Sequence, residues 1–240
     1  MKYTYLALCS SLLIAGGANA AVILNNSFES SFTEWDVVST SPNLNTNDVS
    51  LGGATYNGVN TAAGGSALLS NRAFANLNGG GQSVTLTAFV YQDGATSNTD
   101  AKEIISATDY EFTMAIGNKN GGSGFTDNGN ISLVLGYLAT ANDMSSFTSF
   151  ASLSKTAAEL KSEITENTWA DYTVNGTVLE TDDAFGKQLA VQFTTSRSNS
   201  GVSGNNQTSF DYARVAAVPE PSTSAMLGLL GLGALMRRRR

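Results

Sequence analysis

Five stretches of this 240-residue chain alternate apolar and polar side chains with a period of two. They are Ser83–Tyr91 (SVTLTAFVY), Tyr110–Gly117 (YEFTMAIG), Ile131–Leu138 (ISLVLGYL), Gln188–Thr194 (QLAVQFT) and Phe210–Val215 (FDYARV). A period of two buries one face of a β-strand and leaves the other to water, so these stretches predict half-buried strands. Between them run long segments rich in Gly, Asn, Ser and Thr, at Thr40–Ser66, Asp93–Asp100, Gly117–Asn130 and Ser196–Ser209. Those residues suit tight turns and left-handed backbone. One stretch departs from the pattern. Thr156–Glu159 fits a capping box and Ala157, Leu160 and Ile164 share a helical face, which predicts a short helix over Thr156–Thr165. Strands at this spacing with one helical excursion predict an all-β fold, a two-sheet β-sandwich of jelly-roll type. With 42% hydrophobic and 14% charged residues the chain can bury one sizeable core, and nothing in it demands two.

The two ends have a different character. Met1 and Lys2, the apolar run Leu6–Ala15 and the small-residue triplet Ala18-Asn19-Ala20 read as a signal peptide with a signal helix, cleaved between Ala20 and Ala21. Cys9 follows Leu8 rather than a small residue, which argues against lipoprotein attachment. At the other end, Ser222–Met236 is 15 residues without a charge, followed by Arg237, Arg238, Arg239 and Arg240. As a hydrophobic helix it would reach about 22 Å, short of the roughly 30 Å hydrocarbon core, so it holds a membrane only marginally. The arginine block favours a cytoplasmic end while the leader sends the body outward. This predicts three parts: a signal peptide at 1–20, the sandwich domain at 21–217, and a terminal segment at 218–240. A permanent single-span anchor is the plain alternative for that last segment.

Composition excludes much. There is no histidine, and the one cysteine lies in the leader. Disulfides, thiol nucleophiles, Ser-His-Asp triads and the common zinc sets are therefore out of reach for the exported chain. The body between the two ends keeps eight basic against nineteen acidic residues, a net charge of about −11. Phosphate binding needs clustered Lys and Arg, so nucleic acid is not an expected partner.

The order Pro219-Glu220-Pro221, then a short glycine-leucine segment, then arginines at the terminus resembles the PEP-CTERM sorting signal of exopolysaccharide-producing Gram-negative bacteria. The resemblance implies export through the Sec machinery across the inner membrane, transient membrane anchoring, and processing by an exosortase at or near Pro219, Glu220 and Pro221. The four arginines would be the stop-transfer block. The product would reside on the cell surface, at the outer membrane or in the extracellular matrix. Two stretches of the body carry a second resemblance. VILNNSFESSFTEWDV at its start and SFDYARVAAV at its close look like the opening and closing strands of carbohydrate-binding modules with the galactose-binding-like jelly-roll fold. That class implies a structural calcium held by an opening-strand glutamate and a closing-strand aspartate, here Glu29 and Asp211. The chain has Asn25-Asn26 where the class has Asn-Gly. The alternative for both carboxylates is simple solvation or hydrogen bonding near strand ends.

Sugar faces stack on aromatic rings, which makes Tyr56, Trp35 and Trp169 the candidate ligand contacts. Tyr56 sits in the loop stretch GGATYNGVN, whereas Trp35 and Trp169 lie in strand-like contexts where core packing is the plainer reading. GNKNGGSG at Gly117–Gly124 lacks the Lys-Ser/Thr ending of a P-loop and reads as a hairpin loop. The pairs Asp182-Asp183 and Glu163-Glu166 are close in sequence and give no sign of the separation that glycoside hydrolysis requires. The expectation is a non-catalytic exported protein associated with exopolysaccharide or biofilm matrix, with carbohydrate as its ligand. The alternatives are a secreted carboxylate-dependent glycosidase or lyase, and a structural surface protein, ice-interacting ones included. A flat threonine ladder would support the last, and no linear pattern shows one.

Overall fold

The computed structural model describes residues 21–24, 26, 28, 30, 32–39, 44–48, 61–62, 66–67, 71–77, 80–118, 129–166, 168–198 and 206–218. Among the sites predicted above, the leader, Ala20, Glu29, Tyr56 and the terminal segment from Pro219 to Arg240 lie outside the described residues. The strands are β1 (Trp35–Ser39), β2 (Leu44–Asp48), β3 (Thr61–Ala62), β4 (Ser66–Ala67), β5 (Asn71–Leu77) and β6 (Ser83–Phe89). They continue with β7 (Thr108–Asn118), β8 (Gly129–Leu138), β9 (Phe147–Thr156), β10 (Trp169–Val178), β11 (Gln188–Arg197) and β12 (Asn206–Val218), with α1 (Ala157–Glu163) between β9 and β10.

Ten strands form two antiparallel five-stranded sheets. The first has the order β1-β6-β11-β8-β9 and the second β10-β7-β12-β5-β2, while β3 and β4 pair as a small separate ribbon. The chain crosses repeatedly between the sheets, with β6, β8 and β11 in the first and β7, β10 and β12 in the second. This is the two-sheet, jelly-roll-like sandwich that the alternation predicts.

The inward faces supply the core: Leu86 of β6, Phe112 and Met114 of β7, Leu133 of β8, Phe193 of β11 and Phe210 of β12 are all fully buried. Phe193 and Phe210 join the sheets, with ring centroids 4.7 Å apart. Each such side chain stabilises the fold by about 1.5–3 kcal/mol relative to exposure. The helix closes one side of the core with Ala157, Leu160 and the following Ile164. Its start is fixed locally: the Thr156 backbone N–H donates to Glu159 Oε2 at 2.7 Å and the Glu159 N–H donates to Thr156 Oγ1 at 3.3 Å. This reciprocal cap contributes about 1 kcal/mol.

Close packing requires glycine at Gly136, Gly117 and Gly176. A Cβ on Gly136 would stand 2.5 Å from the Thr148 carbonyl oxygen and even closer to the Phe147 ring, beside the register shift between β8 and β9. A Cβ on Gly117 would stand 2.9–3.0 Å from three atoms of the Trp169 indole. The second of these shapes the site.

Candidate functional site

Register brings three strands of the second sheet into a strip on its outward face. Pairing of β10 with β7 and of β7 with β12 sets five rungs: Trp169–Gly117–Ser209, Asp171–Ala115–Asp211, Thr173–Thr113–Arg214, Asn175–Glu111–Ala216 and Thr177–Asp109–Val218. From the first rung to the last the strip spans about 27 Å, at ~3.4 Å per strand residue. The alternate residues of these strands, such as Tyr172, Phe112 and Phe210, turn into the core.

The strip has a closed half and an open half. In the closed half the Trp169 ring lies against Gly117 and is only 9% exposed. Asp171 Oδ2 accepts from Arg214 Nη2 at 2.7 Å, with the aspartate side chain almost buried. The guanidinium also stacks 5.5 Å from the centre of the Tyr212 ring. Thr113 and Thr173 share a hydroxyl hydrogen bond of 2.7 Å between them. In the open half, Asp109, Glu111, Asn175, Gly176, Thr177 and Val218 line a depression of about 240 Å³. Thr177 donates its hydroxyl to Asp109, while Glu111 and Asn175 are exposed. A trough of carboxylate, amide and hydroxyl groups can donate to and accept from a polyhydroxylated ligand along its length.

The predicted residues are distributed as follows. Trp35 is 7% exposed and belongs to the core, stacked on Phe28 at 5.1 Å between centroids, so it packs rather than offering a platform. Phe28 makes this possible by taking φ of 56°, turning the opening segment inward to meet Phe210 as well, at 5.3 Å. Trp169 does sit on the strip, as its floor at one end. Asp211 is fully buried. It stands where β12 shifts register against β7, between Asp211 and Arg214, with Tyr212 in the left-handed region at φ of 49°. Its Oδ1 accepts from the Tyr212 N–H at 2.7 Å. The Ala213 N–H leaves the ladder and donates to the Asn26 carbonyl at 2.8 Å. The opening segment therefore docks onto the closing strand beside a buried carboxylate, which is an oxygen-rich setting that suits a hard cation. Among the described residues no three acidic side chains converge.

Sequence reasoning missed Asp171, Arg214, Glu111 and Asn175. For Asp171 and Asn175 the signal is the alternation W-x-D-x-T-x-N-x-T from Trp169 to Thr177, a strand with one wholly polar face after its tryptophan; Glu111 and Arg214 join them only through register. It also missed a row of hydroxyls on the outer face of the first sheet. Thr85, Thr194, Ser132 and Ser154 are neighbours across β6, β11, β8 and β9. The Thr85 and Thr194 hydroxyls lie 3.0 Å apart and those of Ser132 and Ser154 3.2 Å.

No helix among the described residues is long and apolar enough to cross a membrane. No curated protein matches the chain in sequence. Solved structures do match in fold. The Stig cyclase Fisc from Fischerella sp. TAU, in complex with (3Z)-3-(1-methyl-2-pyrrolidinylidene)-3H-indole, is similar at 21% identity and a TM-score of 0.54, over 84% of this chain and 98% of that one. A second cyclase structure from Fischerella sp. TAU is similar at 19% identity and a TM-score of 0.52, over 85% of this chain and 100% of that one. Carbohydrate-binding modules of the β-sandwich superfamily align at 11% identity and a TM-score of 0.46, over 80% of this chain and 61% of that one. The likeness to the cyclases is one of fold. Residues 217–240 match the PEP-CTERM protein-sorting motif, so the chain carries a sorting signal that marks it for export, exosortase processing and a surface or extracellular location.

Proposed function

We propose that the body is a non-catalytic surface module that holds exopolysaccharide along the outward face of β10, β7 and β12. The observation that carries this reading is the open half of the strip, where Asp109, Glu111, Asn175 and Thr177 line a depression on the outward face of the second sheet. Matrix polysaccharide presents repeating hydroxyls, and such a strip meets them with repeating acceptors and donors. Tyr56 is a further proposed contact from its loop. The test is affinity electrophoresis of the exported protein through the exopolysaccharide of its host. Retardation that falls several-fold in Glu111→Gln and Asn175→Ala supports the strip. Mobility unchanged by the polysaccharide refutes it.

A structural calcium at Asp211 and Glu29 belongs to the same proposal, supported by the buried carboxylate at the docking point of the opening segment. The ion would tie the opening to the closing strand. Calcium is expected to raise the melting temperature of the wild type, and Asp211→Asn to lose that response as well as part of its basal stability. Equal responses of the two proteins to calcium and to chelator would remove the site.

The hydroxyl row of the first sheet supports a second reading, a structural surface protein that orders water or ice on that face. Thermal hysteresis abolished by Thr85→Val together with Thr194→Val would favour it. No hysteresis in the wild type would discard it.

A further inference from the structure

We propose that the end of the sandwich from which the sorting tail departs is a membrane seat, an apolar surface that beds into a zwitterionic lipid interface while the tail is inserted. The inference rests on the reading that the tail enters a bilayer.

Three strand ends coincide there. Val178 closes β10 opposite Thr108 at the start of β7, and Val218 closes β12 opposite Asp109. The Thr108 hydroxyl donates to the Val218 carbonyl at 2.8 Å. Two loops leave this end side by side: the Gly186 N–H donates to the Ile105 carbonyl at 3.0 Å and the Ile105 N–H to the Lys187 carbonyl at 2.8 Å. On these loops and strand ends sit Ile104, Leu179, Phe185 and Val218, exposed by 46%, 54%, 42% and 38%. They are four of the five large hydrophobic residues exposed among the described residues, the fifth being Val38 on β1. Scattered exposed apolar residues need no explanation, but a set gathered at one end does.

The loop that carries two of them is held in place. Asp182 Oδ2 accepts from the Leu179 N–H at 2.7 Å, the Phe185 N–H donates to the Asp182 carbonyl at 3.0 Å, and Ala184 between them is buried. The fold thus holds Leu179 and Phe185 outward where a slack loop would let them collapse.

The covalent distance names the occupant. Only Pro219, Glu220 and Pro221 separate Val218 from the uncharged run Ser222–Met236. Val218 is four Cα–Cα steps from Ser222, at most about 14 Å when fully extended, so this end of the sandwich stays within that distance of the run once it is inserted. The run is also short by about 8 Å for a full hydrocarbon span, and a short span draws its flanks into the interface. Apolar side chains at the flank supply that missing depth. The neighbouring Glu180, Asp182 and Asp183, against the single cation Lys187 in that loop, disfavour an anionic surface and select zwitterionic headgroups.

The test uses the exported chain from Ala21 to Arg240 with a nitroxide at Phe185→Cys or, as a control, at Val38→Cys, reconstituted in phosphatidylcholine vesicles. Both sites are exposed, so neither label disturbs the core. The expected result is that the label at 185 becomes accessible to oxygen and protected from an aqueous nickel reagent, while the label at 38 stays aqueous. A label at 185 as aqueous as that at 38, on a chain that floats with the vesicles, overturns the seat and leaves the tail reading intact. A chain that does not float overturns both. Protection at 185 before vesicles are added assigns the patch to the tail itself and overturns the lipid seat. Added phosphatidylglycerol should weaken the protection, and strengthening instead would overturn the choice of headgroup.

Discussion

Gly117→Ala tests whether Trp169 is the fixed floor of the strip. The new Cβ would stand 2.9–3.0 Å from three indole atoms, well inside the 3.5–4.0 Å at which carbon atoms attract, so the ring must lift. Overpacking of this kind costs about 1–3 kcal/mol. Trp169→Ala alone removes a ring that is 9% exposed and should cost about 3–5 kcal/mol. In the Trp169→Ala background the Cβ at 117 no longer meets a ring. There the ordinary strand advantage of alanine over glycine returns, about 0.5–1 kcal/mol in the stabilising direction. The coupling energy of the double-mutant cycle is then about 1.5–4 kcal/mol. Urea unfolding followed by far-UV circular dichroism measures it without depending on tryptophan fluorescence. As melting temperatures, each kcal/mol moves a domain of this size by about 2–4 °C. If Gly117→Ala costs the same in both backgrounds to within about 0.5 kcal/mol, the ring does not rest on that glycine and the floor is wrongly placed.

Gly136→Ala should be worse, because one of the atoms it meets is a backbone oxygen rather than a movable ring; a loss of about 3 kcal/mol or more is expected by thermal unfolding, and a neutral outcome would show that β9 can shift. The helix carries an acid-sensitive contact. Lys155 bonds Glu163 at 2.6 Å and the Tyr172 hydroxyl donates to the same carboxylate at 2.7 Å, holding the Glu163 carboxyl below its usual range. A carboxyl depressed on folding stabilises the fold above its unfolded pKa of about 4.3, and that contribution disappears as pH falls through the folded value. The urea midpoint of the wild type should therefore drop more steeply between pH 5 and pH 3 than that of Glu163→Gln, and parallel profiles would refute the linkage. Finally, the intact mass of the exported protein should lack Arg237–Arg240, and a mass ending at Arg240 would refute processing of the tail.

The sequence carried the fold where one face of a strand is buried and the other wet. β6, β8 and β11 announce themselves because Leu86, Leu133 and Phe193 recur in phase with core neighbours. β9 was not legible: it is an edge strand with no fully buried residue, and FTSFASLSKT reads as a polar loop. β10 was obscured by Asn175 and Gly176, which mimic a turn, although Gly176 is required there because a Cβ would stand 2.7 Å from Ala151 and Phe150. The helix was legible because a capping box is a local device, complete within four residues. The strip was not, because its rungs come from register between strands about 60 and 100 residues apart, as in Asp171–Ala115–Asp211. The β12 irregularity adds a second obstacle. With Tyr212 in the left-handed region, Ala213 turns inward and Arg214 outward, so simple alternation from Phe210 places both on the wrong face.

The strip and the proposed seat lie at right angles in purpose and share one rung. Thr177–Asp109–Val218 stands at the tail end, and the strip climbs from it to Trp169, about 27 Å further along the strands. A body seated by Ile104, Leu179, Phe185 and Val218 would hold the strip upright, with its open half beside the bilayer and its closed end at Trp169 turned toward the matrix. Burying the exposed halves of four such side chains yields about 3–6 kcal/mol, counting half of ~1.5–3 kcal/mol for each. That is no more than a single acyl chain provides, and a single acyl chain gives only marginal, reversible binding. The seat is therefore strong enough to orient a tethered body and too weak to retain a cut one, so cleavage beside Pro219 would free the protein without any further step.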